Sequence, residues 1–243
     1  MVRSEAGQGE AVLFSGGLDS AVLLASVAAE ARRRGTREQG CDPASNQRIV
    51  PIYVSVGLAW ERDERAIADR LLSSEPFKDA QPLATLGFDM RDVYPPTHWA
   101  VRGEAPGFDT PDEDVYLEGR NVVLLAKAAV FMARAKLSRV SLGPLSCNPF
   151  PDATPEFFGT MGRALSLGLG TSLEIAAPLL GMHKAEVITL GRSLGVPLEL
   201  TLSCMQPTRG LHCGRCSKCR ERRDAFREAG LADATEYAVA PLR

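Results

Sequence analysis

Two groups of residues have the types and spacing to do chemistry. The first is "SGGLDS", Ser15–Ser20, which follows the apolar run "EAVLF" directly. Gly16 and Gly17 are small enough for backbone N–H groups to approach a phosphate, and Ser15 and Ser20 supply hydroxyls. A helix starting here aims its positive end at the same place. Asp19 repels a bare phosphate, so its carboxylate suits Mg²⁺, a basic partner or the turn itself. The spacing is neither the P-loop pattern nor the dinucleotide fingerprint. An ordinary strand-to-helix corner uses the same residue types, so the local pattern alone leaves both readings open. The second group is "SCMQPTRGLHCGRCSKC", where Cys213, Cys216 and Cys219 form two consecutive C-x-x-C intervals and Cys204 precedes them. Four thiolates can close a tetrahedral structural zinc site, and thiolates also suit an iron–sulfur cluster. His212 beside a complete cysteine set reads as structural. Arg215, Lys218, Arg220, Arg222 and Arg223 either offset the thiolate charge or face a ligand. Cys41 and Cys147 do not join the set by spacing, and Cys147 reads as packing before it reads as an active-site residue.

The elements that must position these groups follow from periodicity. The chain has 243 residues, enough for one large α/β domain with a small appendage. "EAVLFSG" predicts a strand and "DSAVLLASVAAEARRRG" a helix, followed by a polar surface insertion, "TREQGCDPASNQR". "IVPIYVSVG" predicts a second strand, and "WERDERAIADRLLSSE" an amphipathic helix with its arginines and acids toward solvent. From Phe88 to Leu117 no period holds, which predicts a loop ordering around a ligand or a long surface excursion. "GRNVVLLAKAAVFMARAKLS", "PEFFGTMGRALSLGL" and "HKAEVITLGRSLG" predict helices, with strands at "RVSLG" and "SLEIAAPL". This alternation predicts a layered parallel sheet. The charged helix "KCRERRDAFREAG" closes the cysteine region. The simplest division is an α/β body over 1–202 and a cysteine-bearing segment over 203–243.

Composition excludes some functions. A formal net charge of -2 gives no generic electrostatic grip on nucleic acid. The first residues lack an apolar signal stretch and no apolar run is long enough to span a bilayer, so a cytoplasmic protein with no membrane partner is expected. Four of the six cysteines fall between Cys204 and Cys219, which favours a metal over a disulfide framework.

"SGGLDS" resembles the pyrophosphate loop of the ATP-pyrophosphatase (PP-loop) superfamily. The resemblance implies an adenine nucleotide alpha hydrolase-like, Rossmann-like parallel sheet. Further motifs narrow it: "GRN" at Gly119–Asn121, "PD" at Pro151–Asp152, "HKAEVITLGRSLGVPLELTLSC", and the four cysteines. Together, over most of the chain, these resemble the 7-cyano-7-deazaguanine synthase (QueC or ExsB) family. That resemblance implies ATP-dependent conversion of 7-carboxy-7-deazaguanine and ammonia to 7-cyano-7-deazaguanine, by adenylation of the carboxylate. It also implies Mg²⁺ and Zn²⁺, with a homodimer as a further expectation. Carried over, Ser15, Gly16, Gly17, Leu18, Asp19 and Ser20 hold the phosphate groups, and Asn121 orients the nucleotide or caps its helix. Arg120 neutralises a phosphate or carboxylate bidentately, Lys184 stabilises negative charge, and Asp19, Arg120 and Lys184 form the catalytic set. Asp152 contacts substrate or metal. Glu186 binds Mg²⁺ or substrate, pairs with Lys184, or caps its helix, while His183 donates to a ligand or occupies a turn.

Two stretches depart from the family pattern. Where the family carries Asp-Tyr-Gly-Gln, this chain has Ser55, Val56, Gly57 and Leu58, and where the family carries Pro-Asp-Cys-Arg it has Ala153 and Thr154 after Pro151-Asp152. Replacing polar ligand-facing groups changes which hydrogen bonds a pocket can make. A ligase adenylating a different carboxylate is therefore the alternative, followed by a non-catalytic zinc ribbon binding RNA or protein.

Overall fold

The computed structural model describes residues 9–37, 48–146 and 148–239. Cys41, Cys147 and most of the polar insertion lie outside the described residues. The strands are β1 (Gly9–Leu13), β2 (Arg48–Ser55), β3 (Ala84–Gly87), β4 (Arg139–Ser141) and β5 (Glu174–Ala176). Between and after them run α1 (Leu18–Arg37), α2 (Glu61–Leu72), α3 (Trp99–Arg102), α4 (Arg120–Ala135), α5 (Pro155–Leu169), α6 (Lys184–Ser193) and α7 (Ser217–Glu228). All strand pairs are parallel, in the order β3-β2-β1-β4-β5. β1 is central, with Ala11 opposite Val50 on one side and Val140 on the other.

A parallel sheet covered on both faces needs apolar residues at successive positions, and β1 supplies them. Ala11 and Leu13 face a layer containing Leu125, Ala128 and Met132 of α4 and Phe158 of α5. Val12 faces the opposite layer, with Leu23 and Leu24 of α1, Ile188 of α6 and Phe226 of α7. At Gly191 a Cβ atom would stand 2.6 Å from the Val22 side chain, so α6 crosses α1 at a distance only glycine allows. The chain proceeds from β1 outward through β2 to β3, then returns to the other side at β4. That reversal opens a crevice at the carboxyl ends of β1 and β4, where such sheets bind ligands.

Two stretches differ from the sequence reading. β3 carries no sequence signal, because "ATLG" is a short edge strand with too few residues to show a period. The 88–117 stretch is not a surface excursion: Met90, Tyr94, Ala100, Val115 and Leu117 are buried in the α4 layer, and Trp99 stacks on Trp60 at 5.7 Å. Isolated anchors rather than a continuous face hold it, and isolated anchors leave no periodic signal. Among the described residues no helix is long and apolar enough to cross a membrane.

Candidate active site and cysteine centre

β1 ends at Leu13, and Phe14 extends its ladder by donating its N–H to the Ile52 carbonyl at 2.8 Å. The chain then turns sharply into α1. Gly16 has φ +76°, and a Cβ there would lie 3.0 Å from the backbone nitrogen of Ala68 on α2, so glycine is required on both counts. The loop is tied to itself: Gly17 N–H donates to Ser15 Oγ at 3.2 Å, and Ser20 Oγ donates to the Gly17 carbonyl at 3.0 Å. It forms one wall of a cavity of about 290 Å³ at the sheet's carboxyl edge.

The structure brings Ser15, Gly17, Asp19, Ser20, Arg120, Asn121 and Asp152 to that cavity. Gly16 lies beneath it against α2, and Leu18 turns its side chain into the core, 1% exposed. Lys184 reaches the loop from α6, its Nζ 2.6 Å from Asp19 Oδ2 and 3.5 Å from Glu221 Oε1. Burial alone would lower the lysine pKa, but the two carboxylates overcome it and push it up to about 12. The other oxygen, Asp19 Oδ1, is buried without a hydrogen-bond partner among the described residues, as is Arg120 Nε. A native structure seldom leaves such groups unpaired. An unpaired carboxylate oxygen and an unpaired guanidinium donor on one cavity fit a metal cation accompanied by an anionic ligand.

Asn121 and Asp152 are occupied with each other. The Asn121 backbone N–H donates to Asp152 Oδ2 at 3.0 Å, and its side-chain amide donates to the Asp152 carbonyl at 3.0 Å. Asp152 thus caps α4, whose N-cap residue, Gly119, has no side chain to do so. Burial holds the Asp152 carboxyl above its ordinary range despite those bonds. Glu186 does not reach the cavity. Its exposed carboxylate accepts the His183 backbone N–H at 2.7 Å, the helix-capping role among the three expected of it. The His183 ring sits 3.2 Å from Ser146 Oγ, through Nδ1.

Two acids of α2, Glu61 and Glu64, are not on the solvent side as expected, while Asp69 is exposed, and this is the largest correction at the site. Glu61 and Glu64 are buried with Ala68 and Leu71, a three-four-three spacing that makes them one helical stripe. That spacing was the available signal; their charge had argued against it. Glu61 accepts the Ser55 hydroxyl at 2.5 Å and the backbone N–H groups of Val56 and Gly57 at 2.7 and 3.0 Å. Tyr53 donates its hydroxyl to Glu64 Oε2 at 2.8 Å. Burial raises the Glu64 pKa to about 7, against the opposing pull of Arg120, and burial followed by Glu64 raises that of Tyr53. Tyr116 and Phe150, stacked at 4.8 Å, add an aromatic wall to the same cavity.

At the cysteine centre the four sulfurs all lie within 4.8 Å of one another, and all four residues are buried. Cys204–Cys216 and Cys213–Cys219 are separated by 3.9 Å and Cys216–Cys219 by 3.5 Å. A single tetrahedral ion with metal–sulfur bonds of about 2.3 Å sets its thiolates about 3.8 Å apart, which these spacings match. A four-iron cube gives each thiolate its own iron and needs a wider set. His212 is not a ligand: its Nε2 accepts the Ser203 backbone N–H at 3.1 Å, and burial lowers its pKa to about 3. Of the nearby cations, Arg222 and Arg220 face protein groups, while Arg215 is exposed. Arg222 is fully buried on Thr201, Thr235 and the Leu198 carbonyl, and Arg220 donates to the Thr110 carbonyl.

Comparison with known proteins places these features in a family. The family model described as queuosine biosynthesis protein QueC matches residues 104–230. The 7-cyano-7-deazaguanine synthase of Methanothrix thermoacetophila is 33% identical over 244 residues, covering 93% of this chain and 96% of that protein. That of Anaeromyxobacter dehalogenans is 38% identical over 130 residues, covering 51% of this chain and 56% of the relative, so there the match spans little more than half its length. The solved structure of the U34-tRNA thiolase NcsA from Methanococcus maripaludis, with its [4Fe-4S] cluster, aligns at 14% identity over 96% of this chain and 75% of that one. Its TM-score is 0.46, too loose a superposition to inform the site.

Proposed function

The chain belongs to the family of queuosine biosynthesis protein QueC, and on that premise we propose that it converts 7-carboxy-7-deazaguanine and ammonia to 7-cyano-7-deazaguanine at the expense of ATP. The observation that carries the reading is the cavity at the sheet's switch point, where Asp19 Oδ1 and Arg120 Nε wait unpaired beside the Ser15–Ser20 loop. ATP, when bound, activates the substrate carboxylate so that ammonia can replace its oxygen, and a second activation removes the amide oxygen to leave the nitrile.

This chain's residues do the holding. Loop N–H groups and the start of α1 bind phosphate oxygens. Asp19 binds Mg²⁺ through Oδ1 while Lys184 fixes Oδ2, and Arg120 pairs with a phosphate or with the substrate carboxylate. Asp152 positions Asn121 and the start of α4 rather than meeting substrate itself, and Tyr116 and Phe150 offer their faces to a planar ring. Cys204, Cys213, Cys216 and Cys219 hold a structural Zn²⁺ within a 203–243 segment seated on the 1–202 body. The homodimer implied by the resemblance belongs to the same proposal.

The test is incubation with ATP, Mg²⁺, ammonia and 7-carboxy-7-deazaguanine, with the nitrile identified by mass. Its appearance is expected. A second reading is adenylation of a different carboxylate, although Leu58, standing where the resemblance leads one to expect an amide, is buried in the α4 layer rather than on the cavity. Pyrophosphate exchange into ATP with another acid, and none with this one, would replace the first reading by the second.

A further inference from the structure

The region holding the cysteines grips the phosphate loop at two points. Leu202, two residues before Cys204, donates its backbone N–H to the Gly16 carbonyl at 2.9 Å. The second grip runs through side chains. Asp19 Oδ2 meets Lys184 Nζ at 2.6 Å, Lys184 meets Glu221 Oε1 at 3.5 Å, and Glu221 Oε2 meets Lys218 Nζ at 2.7 Å. Lys218 ends the row on Asp112 Oδ1 at 3.3 Å. Charges alternate along the whole row, from the loop to the 3-10 turn at Asp112–Val115. Glu221 lies on α7, whose N-cap is Cys216 and whose first turn carries Cys219. The helix that presents two metal ligands therefore also presents the second carboxylate of Lys184.

We propose that Glu221 is a positioning residue for the phosphate loop, acting through Lys184 on Asp19, and that filling the cysteine centre and filling the cavity consequently favour one another. The proposal rests on the reading that the cavity takes ATP with Mg²⁺. Lys184 is only 15% exposed and stands between two carboxylates, so whatever fixes Asp19 also fixes Lys184 and restrains α7. Held still, α7 opens its thiolates less readily, and by linkage an intact metal site keeps Asp19 aimed for its ligand. Without the Glu221 charge, Lys184 pairs with Asp19 alone and the side-chain link to α7 is lost. The outer pair with Lys218 lies beyond that link.

The experiment measures how tightly the zinc-loaded protein holds its metal. Zinc is partitioned at equilibrium against a competing chromogenic chelator with and without a non-hydrolysable ATP analogue and Mg²⁺, and calorimetry checks that the analogue binds. In the unaltered protein the analogue is expected to raise the apparent zinc affinity about tenfold, within the usual range of coupling between sites. In Glu221→Gln, which keeps the side-chain shape, the ratio is expected to fall to about twofold or less while the analogue still binds. Lys218→Met should retain the gain, and Glu221→Asp, which keeps the charge on a shorter arm, should retain part of it. A gain of full size in Glu221→Gln, or its equal loss in Lys218→Met, would overturn the relay alone. No binding of the analogue to the unaltered protein would instead overturn the ATP reading, and the relay with it.

Discussion

The phosphate loop and the cysteine centre lie side by side in the fold yet solve opposite problems. Around the cysteines the backbone is turned to the sulfurs: the amides of Gln206 and Cys213 point at Cys204 Sγ, that of Arg215 at Cys213 Sγ, and the sulfurs already stand at the spacing of one ion, with the buried Ser217 hydroxyl left without a partner among the described residues. Around the loop the hydroxyls bind the loop itself, while Asp19 Oδ1 and Arg120 Nε have no hydrogen-bond partner among the described residues. The first site has the spacing of a single ion held among buried thiols. The second carries a standing desolvation cost that a passing ligand relieves. Removing a ligand group should therefore damage stability at the first site and turnover at the second.

The largest effect is expected at the cysteines. Cys219→Ser should abolish stoichiometric metal binding and lower the free energy of unfolding by about 5 kcal/mol. Structural zinc in small peptides contributes about 10–16 kcal/mol, and here Ala225 and Phe226 still anchor α7 in the core. Metal analysis with denaturant unfolding checks it. Unchanged stability in the metal-free variant would mean that the centre is not structural.

Asp19→Ala should show the converse. Turnover with ATP is expected to fall about 10²–10³-fold, the scale for losing one group that stabilises developing charge, with metal content unchanged. Steady-state rates beside metal analysis decide it. Normal turnover would remove Asp19 from the proposed machinery, and loss of metal would erase the contrast between the two regions.

These regions were also unequally legible in the sequence. The cysteine centre was readable almost whole, because metal ligands must be close in space and two C-x-x-C intervals bring them close along the chain. The sheet was readable where strand and helix alternate at full length, and unreadable at β3, where four residues carry no period. The loop was legible as residues, but its surroundings were not. Glu221 comes from α7 and Glu61 and Glu64 from α2, each far along the chain from Asp19. A carboxylate on a helix is ordinarily a solvent residue, so charge alone predicts Glu64 on the outside. At the end of β2 the Ser55 hydroxyl is held by the carboxylate of Glu61 from the next helix. An acid is present at this edge of the cavity, supplied by a different element.

The smallest effect concerns that buried pair of α2 acids, and it refines the contrast by asking what the cavity's unrelieved polarity costs. Glu64 has its pKa raised to about 7 chiefly by burial, so the folded protein holds its proton more tightly than the unfolded chain does. The stability from this group is complete below about pH 4.5 and is lost as pH rises through about 7, amounting to about 3 kcal/mol. Glu221 gives the opposite slope. Burial would raise its pKa, but Lys184 and Lys218 hold it down at about 2, so its contribution disappears only as pH falls below about 4.5. The two windows do not overlap. Glu64→Gln keeps an acceptor for the Tyr53 hydroxyl and cannot ionise, so its unfolding free energy should stay flatter between about pH 5 and pH 8. Denaturant titrations of both proteins across that range measure the difference. Parallel curves would mean that Glu64 ionises as freely in the fold as outside it, and that water already relieves this wall of the cavity.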